Sequence, residues 1–273
     1  MLPGGNQAGP PGLAGSPVFL TLQMQEKSAK SALETILRGA VPITIRGIQL
    51  TSLVDFPGEV CTTIFLGGCN FRCPWCHNAD LVLRTATLPE ISPGEVLNLL
   101  IRRRSWVQAV CITGGEPSLT PGLEEFIRSL KSHGFKVKLD TNGTQPEVIA
   151  RLLAGDLLDY VAMDVKAPPE KYDLLTGTRA NLEAVKESIA LIKNSRVAYE
   201  FRTTAVPSLL LEEDFLAIGQ MLAGARHYVL QQFRPARTLL NPGLQELLLY
   251  PETTLKNIAV KLQPFFARVE VRS

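Results

Sequence analysis

Residues 59–78, EVCTTIFLGGCNFRCPWCHN, join an apolar run to a loop with three cysteines. The run is rich in β-branched and aromatic residues, as buried strands are, and two glycines end it. Cys69, Cys73 and Cys76 then follow within a few residues of one another. The stretch predicts a buried strand whose carboxyl end carries a group of thiols.

Similar runs recur along the chain, and segments with helical periodicity separate them. The runs are 107–113, 135–140, 159–165, 197–204, 227–233 and 268–272. Alternation of strands and helices predicts right-handed βαβ units and a parallel sheet. The spacing alone leaves two architectures open, a flat doubly wound sheet and a curved partial barrel.

Each predicted strand ends in polar residues. After the cysteine loop these are TGGEP at 113–117, DTNG at 140–143, Asp164 with Lys166, Glu200 with Arg202, and Gln231, Gln232 and Arg234. The carboxyl ends of parallel strands open on one face, so we expect these groups to surround one site. A flat sheet would place them in a row, and the grouping therefore favours a barrel-like enclosure.

Composition narrows the class of protein. The chain has 273 residues, 45% hydrophobic and 20% charged, which is ordinary for a globular protein. A net charge of +2 without a basic block gives no support for a nucleic-acid partner. No apolar run has the length of a membrane span, and the amino terminus lacks a secretory signal. We expect a cytoplasmic protein, whose reduced cysteines are metal ligands or catalysts rather than disulfides.

Four segments are expected along the chain. Residues 1–20 are rich in Gly and Pro and predict a disordered tail, and 21–43 predict a helical extension. Residues 44–235 form the core, and 236–273 supply a helix and a strand that close it. Met24 opens a more ordinary sequence, which motivates the hypothesis that translation starts there.

Three thiols in one loop suit an open metal centre. A [4Fe–4S] cluster normally has four thiolate ligands, so three would leave one iron with an exchangeable position. One alternative is zinc bound by the three cysteines and His77, although adjacent Cys76 and His77 would reach one tetrahedral ion with difficulty. The other is three unrelated core cysteines. Cys61 and Cys111 lie within apolar strands and are predicted to be buried apolar side chains.

These residues resemble a known family. CNFRCPWC at 69–76 resembles the CxxxCxΦC signature of the radical S-adenosylmethionine (SAM) superfamily, where Φ is aromatic and is here Trp75. TGGEP resembles its GGE motif. Residues 51–82 are similar to the opening of anaerobic ribonucleoside-triphosphate reductase activating proteins. LDTNG at 139–143, followed by MDVK at 163–166, is similar to glycyl-radical-enzyme activases such as pyruvate formate-lyase activating enzyme.

The resemblance covers about residues 44–235 and implies an α/β fold, a TIM-like partial (β/α)6 barrel. It implies one [4Fe–4S] cluster on Cys69, Cys73 and Cys76, with SAM on the open iron. The SAM contacts it implies are Trp75, Gly114, Gly115, Glu116, Asp140, Asn142, Lys166 and Arg202. A monovalent cation beside SAM, as in some activases, would take Asp140, Thr141, Asp164 and the carbonyl of Ala162 as ligands. For Arg202 and Arg234 three alternatives stay open, namely contact with SAM, contact with the partner's backbone, and an ion pair of one of them with Glu200 or Asp164.

The activity that the resemblance implies is radical chemistry. Reductive cleavage of SAM would give a 5′-deoxyadenosyl radical, which takes a hydrogen atom from a glycine Cα of a partner glycyl radical enzyme. Class III (anaerobic) ribonucleotide reductase is the expected partner, and a flavodoxin or ferredoxin-type protein the expected reductant. The alternatives are a small radical SAM enzyme acting on a small molecule or peptide, such as 7-carboxy-7-deazaguanine synthase, and a non-catalytic metal-binding protein.

Overall fold

A computed structural model describes residues 43–236 and 238–273. The expected tail (1–20) and, apart from Ile43, the expected helical extension lie outside the described residues. Those described belong to one compact unit. Within these ranges no helix combines the length and the apolar character that crossing a membrane requires.

A single eight-stranded sheet forms the centre, with its strands in chain order. The strands are β1 Ile45–Ser52, β2 Cys61–Leu66, β3 Ala109–Gly114, β4 Lys136–Thr141, β5 Tyr160–Asp164, β6 Ala198–Ala205, β7 Ala225–Gln232 and β8 Phe266–Arg272. Strands β2 to β8 are parallel, whereas β1 pairs with β2 in the antiparallel sense. The predicted parallel α/β architecture is confirmed. The sequence did not predict β1, because this strand is half-exposed and its register is irregular.

Helices connect the parallel strands. They are α1 Ala79–Leu83, α2 Pro93–Arg102, α3 Leu123–Ser132, α4 Pro146–Ala154, α5 Tyr172–Thr176, α6 Leu182–Asn194, α7 Glu212–Met221 and α8 Glu252–Leu262. A capping box between Ser92 and Glu95 begins α2, with Pro93 at its first position. The C-terminal region contains a helix and a strand, α8 and β8, and β8 extends the sheet beyond β7.

The sheet curves into a partial barrel. Cys61 of β2, Cys111 of β3 and Tyr160 of β5 belong to one buried cluster, which Phe56 and two alanines complete. In a flat sheet β2 and β5 would lie about 14 Å apart, three strand spacings, so the sheet must curl to bring them together. Among the described strands, β1 pairs with β2 alone and β8 with β7 alone, so the barrel is open. Cys61 and Cys111 are both buried, as predicted.

Two glycines let the ends of β2 and β3 approach each other. The Gly115 N–H donates to the Leu66 carbonyl at 2.9 Å, and the Glu116 N–H donates to the Gly68 carbonyl at 2.8 Å. A Cβ at Gly114, where φ is +122°, would lie 2.3 Å from the Leu66 oxygen. A Cβ at Gly115 would lie 1.8 Å from the Gly68 oxygen. Both contacts are with backbone, which cannot rotate away, so this junction requires glycine.

Gly115→Ala should therefore destabilise the fold. The added methyl group must push the cysteine loop and the end of β3 apart, and we expect the midpoint of thermal unfolding to fall by about 5 °C or more. Gly47→Ala is the matched control, because a Cβ there would meet Phe65 at an ordinary 3.5 Å. Circular dichroism melts of the two variants test this, and equal midpoints would contradict it.

Candidate functional site

The cysteine loop lies between β2 and α1, at the carboxyl end of the sheet. Cys73 and Trp75 are buried, and Cys69 and Cys76 are half-buried. The Cys76 N–H donates to the Cys73 carbonyl at 3.0 Å, and the Phe71 N–H donates to Cys69 Sγ at 3.4 Å. The loop thus folds on itself and holds the three predicted thiols in one compact turn.

The thiols of Cys69 and Cys73 lie in a desolvated setting with one nearby cation, Lys166. Burial raises the pKa of Cys69 to about 11 and that of Cys73 to about 12. The Lys166 ammonium opposes the rise at both thiols, which shows that it lies on their side of the barrel. Iron would have to displace the thiol protons, and Lys166 would favour the resulting thiolates. The donor set fits a three-thiolate iron–sulfur centre.

The geometry does not support a zinc site. In the ranges 43–236 and 238–273, no three His, Cys, Asp or Glu side chains are grouped as ligands of a single ion. The His77 ring is exposed, and its Nε2 lies 2.8 Å from the Arg234 carbonyl oxygen. A cluster binds each thiolate through a different iron, so it accepts sulfurs that are too far apart for one tetrahedral ion.

A segment far along the chain fixes the cysteine loop. The Asn241 N–H donates to the Pro74 carbonyl at 2.8 Å, and the Leu240 N–H donates to the Cys76 carbonyl at 3.2 Å. Thr238 Oγ1 donates to the His77 carbonyl at 3.2 Å. We call residues 238–241 the C-terminal clasp. The sequence carries no motif there, because the contacts use mainly backbone groups.

Glu116 joins the ends of β3 and β4. Its side chain is 1% exposed and accepts hydrogen bonds from Thr141 Oγ1 at 2.7 Å and from the Asn142 N–H at 2.6 Å. It also accepts from the N–H and hydroxyl of Ser118. Burial raises the pKa of the Glu116 carboxyl, and these hydrogen bonds oppose the rise. Protein donors therefore hold both oxygens of the carboxylate.

Asparagines connect the cysteine loop to the neighbouring strand ends. Asn78 Nδ2 donates to the Gly114 carbonyl at 2.9 Å. Asn142 Nδ2 donates to Asn70 Oδ1 at 2.8 Å, and Asn70 Nδ2 donates to Thr144 Oγ1 at 2.9 Å. Sequence reasoning missed Asn70 and Thr144, because no local sequence pattern indicates a hydrogen-bond partner more than seventy positions away. The Asn142 amide, which the resemblance assigned to SAM, here supports the loop.

Four further predicted residues meet inside the barrel. Arg202 Nε donates to Asp164 Oδ1 at 2.8 Å, and Lys166 Nζ donates to Asp164 Oδ2 at 3.0 Å. Arg202 Nη2 lies 3.3 Å from Asp140 Oδ2. Of the alternatives for Arg202, the structure contains the ion pair. The Arg234 side chain is instead exposed.

These groups all carry charge. Burial opposes ionisation of Asp164, yet the Arg202 and Lys166 cations hold the pKa of Asp164 far below its usual value. Burial likewise opposes the charge on Lys166, but Asp164 raises the pKa of that ammonium. The interior of the barrel is therefore a set of compensated ions rather than neutral polar groups.

The sequence analysis missed two members of this ionic set, Lys138 and Arg272. Lys138 donates to Asp140 Oδ1 from a side chain that is 2% exposed. Arg272 binds buried Glu200 in a bidentate pair, with N···O distances of 3.1 and 3.0 Å. A signal was present, because charged residues alternate in FKVKLD (135–140), YEFR (199–202) and RVEVR (268–272), which places them on one face of each strand.

Comparison with known proteins agrees with this geometry. The model of the radical SAM superfamily matches residues 63–217, which contain the cysteine loop and the strand ends. Among solved structures, TYW1 with a lysine-pyruvate adduct bound superimposes with a TM-score of 0.55 at 17% identity, covering 74% of this chain and 72% of that one. At this identity the structural likeness concerns the fold alone.

Relatives in sequence indicate which type of radical SAM enzyme this chain is. A Methanocaldococcus jannaschii protein, named as a glycyl-radical enzyme activating enzyme, is 35% identical over 237 residues, covering 84% of this chain and 95% of its own length. The pyruvate formate-lyase-activating enzyme of Clostridium pasteurianum is 27% identical over 202 residues, covering 71% and 82%. The chain is therefore a radical SAM enzyme, and within that superfamily it belongs with the glycyl-radical enzyme activating enzymes.

Proposed function

We propose that this chain installs a glycyl radical on an anaerobic (class III) ribonucleoside-triphosphate reductase, using SAM and one [4Fe–4S] cluster. One observation carries the proposal. The three-thiol loop is bonded to the GGE turn and faces the Lys166 ammonium, so the groups suited to a cluster and to an amino-acid ligand adjoin each other.

Each group has a distinct task. Cys69, Cys73 and Cys76 bind three irons and leave one open. The backbone of Gly114 and Gly115 offers carbonyl acceptors for the amino group of SAM. The Lys166 ammonium has three donors, and its bond to Asp164 uses one of them, so it can also bind the SAM carboxylate. Trp75, which the resemblance places by the adenine, is a buried member of the loop and helps to keep water from it.

When bound, the reduced cluster and SAM supply a primary carbon radical that can remove a hydrogen atom from a glycine Cα. Each turnover would take up one electron and release methionine and 5′-deoxyadenosine, whose new hydrogen comes from the partner. The chain's residues bind, orient and exclude water, and no side chain has to accept a proton. A low-potential flavodoxin or ferredoxin-type protein is the proposed electron donor.

The choice of partner depends on one segment. The names of the relatives support activation of a glycyl radical enzyme in general. Support for the reductase comes from residues 51–82, which are similar to the opening of activating proteins for anaerobic ribonucleotide reductase.

Replacement of the loop cysteines tests the cluster assignment. Cys69→Ala, Cys73→Ala and Cys76→Ala should each lose the absorbance of a cluster with about four irons per chain, together with reductive SAM cleavage to 5′-deoxyadenosine. Anaerobic reconstitution, iron analysis and chromatography of the nucleoside measure this.

Cys61→Ala and Cys111→Ala are the controls, because both cysteines are buried in strands away from the loop. Both should retain the cluster and the cleavage activity. Loss of the cluster in either control, or stoichiometric zinc without SAM cleavage in the parent chain, would contradict the assignment.

Lys166→Met tests the carboxylate contact. Loss of a charge-assisted bond should weaken SAM binding by about tenfold or more, while the cluster absorbance stays unchanged. Lys186→Met is the control, since this lysine is half-exposed on α6 and pairs with Glu183 of the same helix. Titration of the reduced cluster with SAM, followed by EPR, gives the SAM dissociation constants of the two variants. Equal constants would exclude a carboxylate contact.

The partner is tested by mixing. Reduced enzyme, SAM and the class III reductase encoded in the same genome should give a glycyl-radical EPR doublet, and a reductase with the radical glycine changed to Ala should give none. A doublet with pyruvate formate-lyase but not with the reductase would reject the proposed partner and retain the activase function. SAM cleavage without a doublet on either protein would favour a small-molecule substrate.

A further inference from the structure

Lys138 is an unusual residue for the interior of a parallel sheet. It lies on β4 and is 1% exposed as a whole residue. By volume it is among the largest fully buried side chains of the described residues. Its ammonium donates to Asp140 Oδ1 and lies 3.7 Å from Cys111 Sγ. A buried ammonium is costly unless a counter-charge compensates it, so the Lys138–Asp140 pair is a defined ionic contact.

This contact bears on the monovalent cation that the resemblance implies. The carboxylates of Asp140 and Asp164 would be its main ligands, yet basic groups already contact all four of their oxygens. Asp140 meets Lys138 at one oxygen and Arg202 at the other, the latter at 3.3 Å. Asp164 meets Arg202 at 2.8 Å and Lys166 at 3.0 Å.

The third side chain of that set is also engaged elsewhere. Thr141 Oγ1 donates to Glu116 at 2.7 Å and accepts from the Gly143 N–H at 3.1 Å. Its hydroxyl therefore bonds to the Glu116 carboxylate and the Gly143 N–H, and it does not point to a site between Asp140 and Asp164. As the side chains stand, they do not fit a bound metal cation.

Charge balance leads to the same conclusion. If Lys166 turns to the carboxylate of SAM, Lys138 and Arg202 still neutralise Asp140 and Asp164. The next carboxylate in the barrel, Glu200, has its own bidentate partner in Arg272. A metal cation would add an uncompensated positive charge to a buried region, which is unfavourable.

We infer that the Lys138 ammonium is a built-in counterion that takes the place of a monovalent metal ion beside the SAM site, so that this chain binds SAM without one. Together with Arg202 it holds Asp140 and Asp164 in position. The inference rests on the proposed function in that SAM is the ligand whose affinity should be independent of sodium and potassium.

The first experiment measures SAM affinity of the cluster-loaded enzyme in sodium, potassium and choline chloride at equal ionic strength. The parent chain should bind SAM equally in all three, within about twofold. Lys138→Met should bind about tenfold more weakly in choline than in sodium or potassium, because Asp140 has lost its counterion and accepts a metal ion instead. Lys136→Met is the control, since this lysine is half-exposed on the same strand and pairs with Glu59.

Two outcomes would overturn the inference. One is a parent enzyme that binds SAM about tenfold more tightly in sodium or potassium than in choline. The other is a Lys138→Met variant that matches the parent in every salt. Lys138→Arg, which retains the charge, should remain independent of the salt.

The second experiment needs neither cluster nor SAM. In unfolding melts of the unloaded protein in choline chloride, Lys138→Met should lower the midpoint by about 5 °C or more, because it leaves Asp140 without its buried partner. The double variant Lys138→Met/Asp140→Asn should recover most of the loss, and failure to recover would contradict the pairing. If no salt supports SAM binding, the proposed function fails, whereas these melts still decide the role of Lys138.

Discussion

The buried carboxylate of Glu116 is the contact on which the geometry of the site depends. Glu116 lies two residues beyond β3, its N–H bonds to Gly68 after β2, and its carboxylate oxygens accept from Thr141 and Asn142 at the end of β4. Burial of the carboxylate without partners would be costly, and its hydrogen bonds offset that cost only while the segment after β3 and the end of β4 keep their positions. The cysteine loop is therefore coupled to the sheet through one residue, whose backbone N–H holds Gly68 and whose carboxylate holds the end of β4.

Ion pairs inside the barrel also hold the strands in position. Arg202 contacts Asp140 and Asp164, and its Nη1 lies 3.7 Å from Glu200 Oε1. Because Arg202 is on β6 and Asp140 on β4, the contact between them crosses β5 and constrains the curvature of the sheet. Fixed ions in a desolvated interior provide a field that does not have to reorganise when a charged ligand arrives. The same groups thus serve both the fold and the site.

The sequence predicted those features whose signals are local. Parallel strands were readable from short apolar runs, and the radical SAM superfamily was readable from three cysteines in one loop and the GGE motif after the next strand. The half-exposed β1 lacks such a run, so it was missed. Asn70 and Asn142 meet across more than seventy residues, and only the folded sheet brings them together. Lys138 carried a readable signal, since strict alternation in FKVKLD puts it on the face of Asp140, but attention to the strand ends alone overlooks it.

The C-terminal clasp gives a physical reason for the odd number of cysteines. In the proposed cluster, a fourth thiolate would hold the loop more firmly, but it would also occupy the iron that is proposed to bind SAM. The clasp fixes the loop through the peptide carbonyls of Pro74, Cys76 and His77, and it uses no sulfur. Backbone hydrogen bonds would then keep the loop rigid, while the three sulfurs would leave one iron open. The sequence does not reveal the role of the clasp, because almost any residue can make a backbone hydrogen bond.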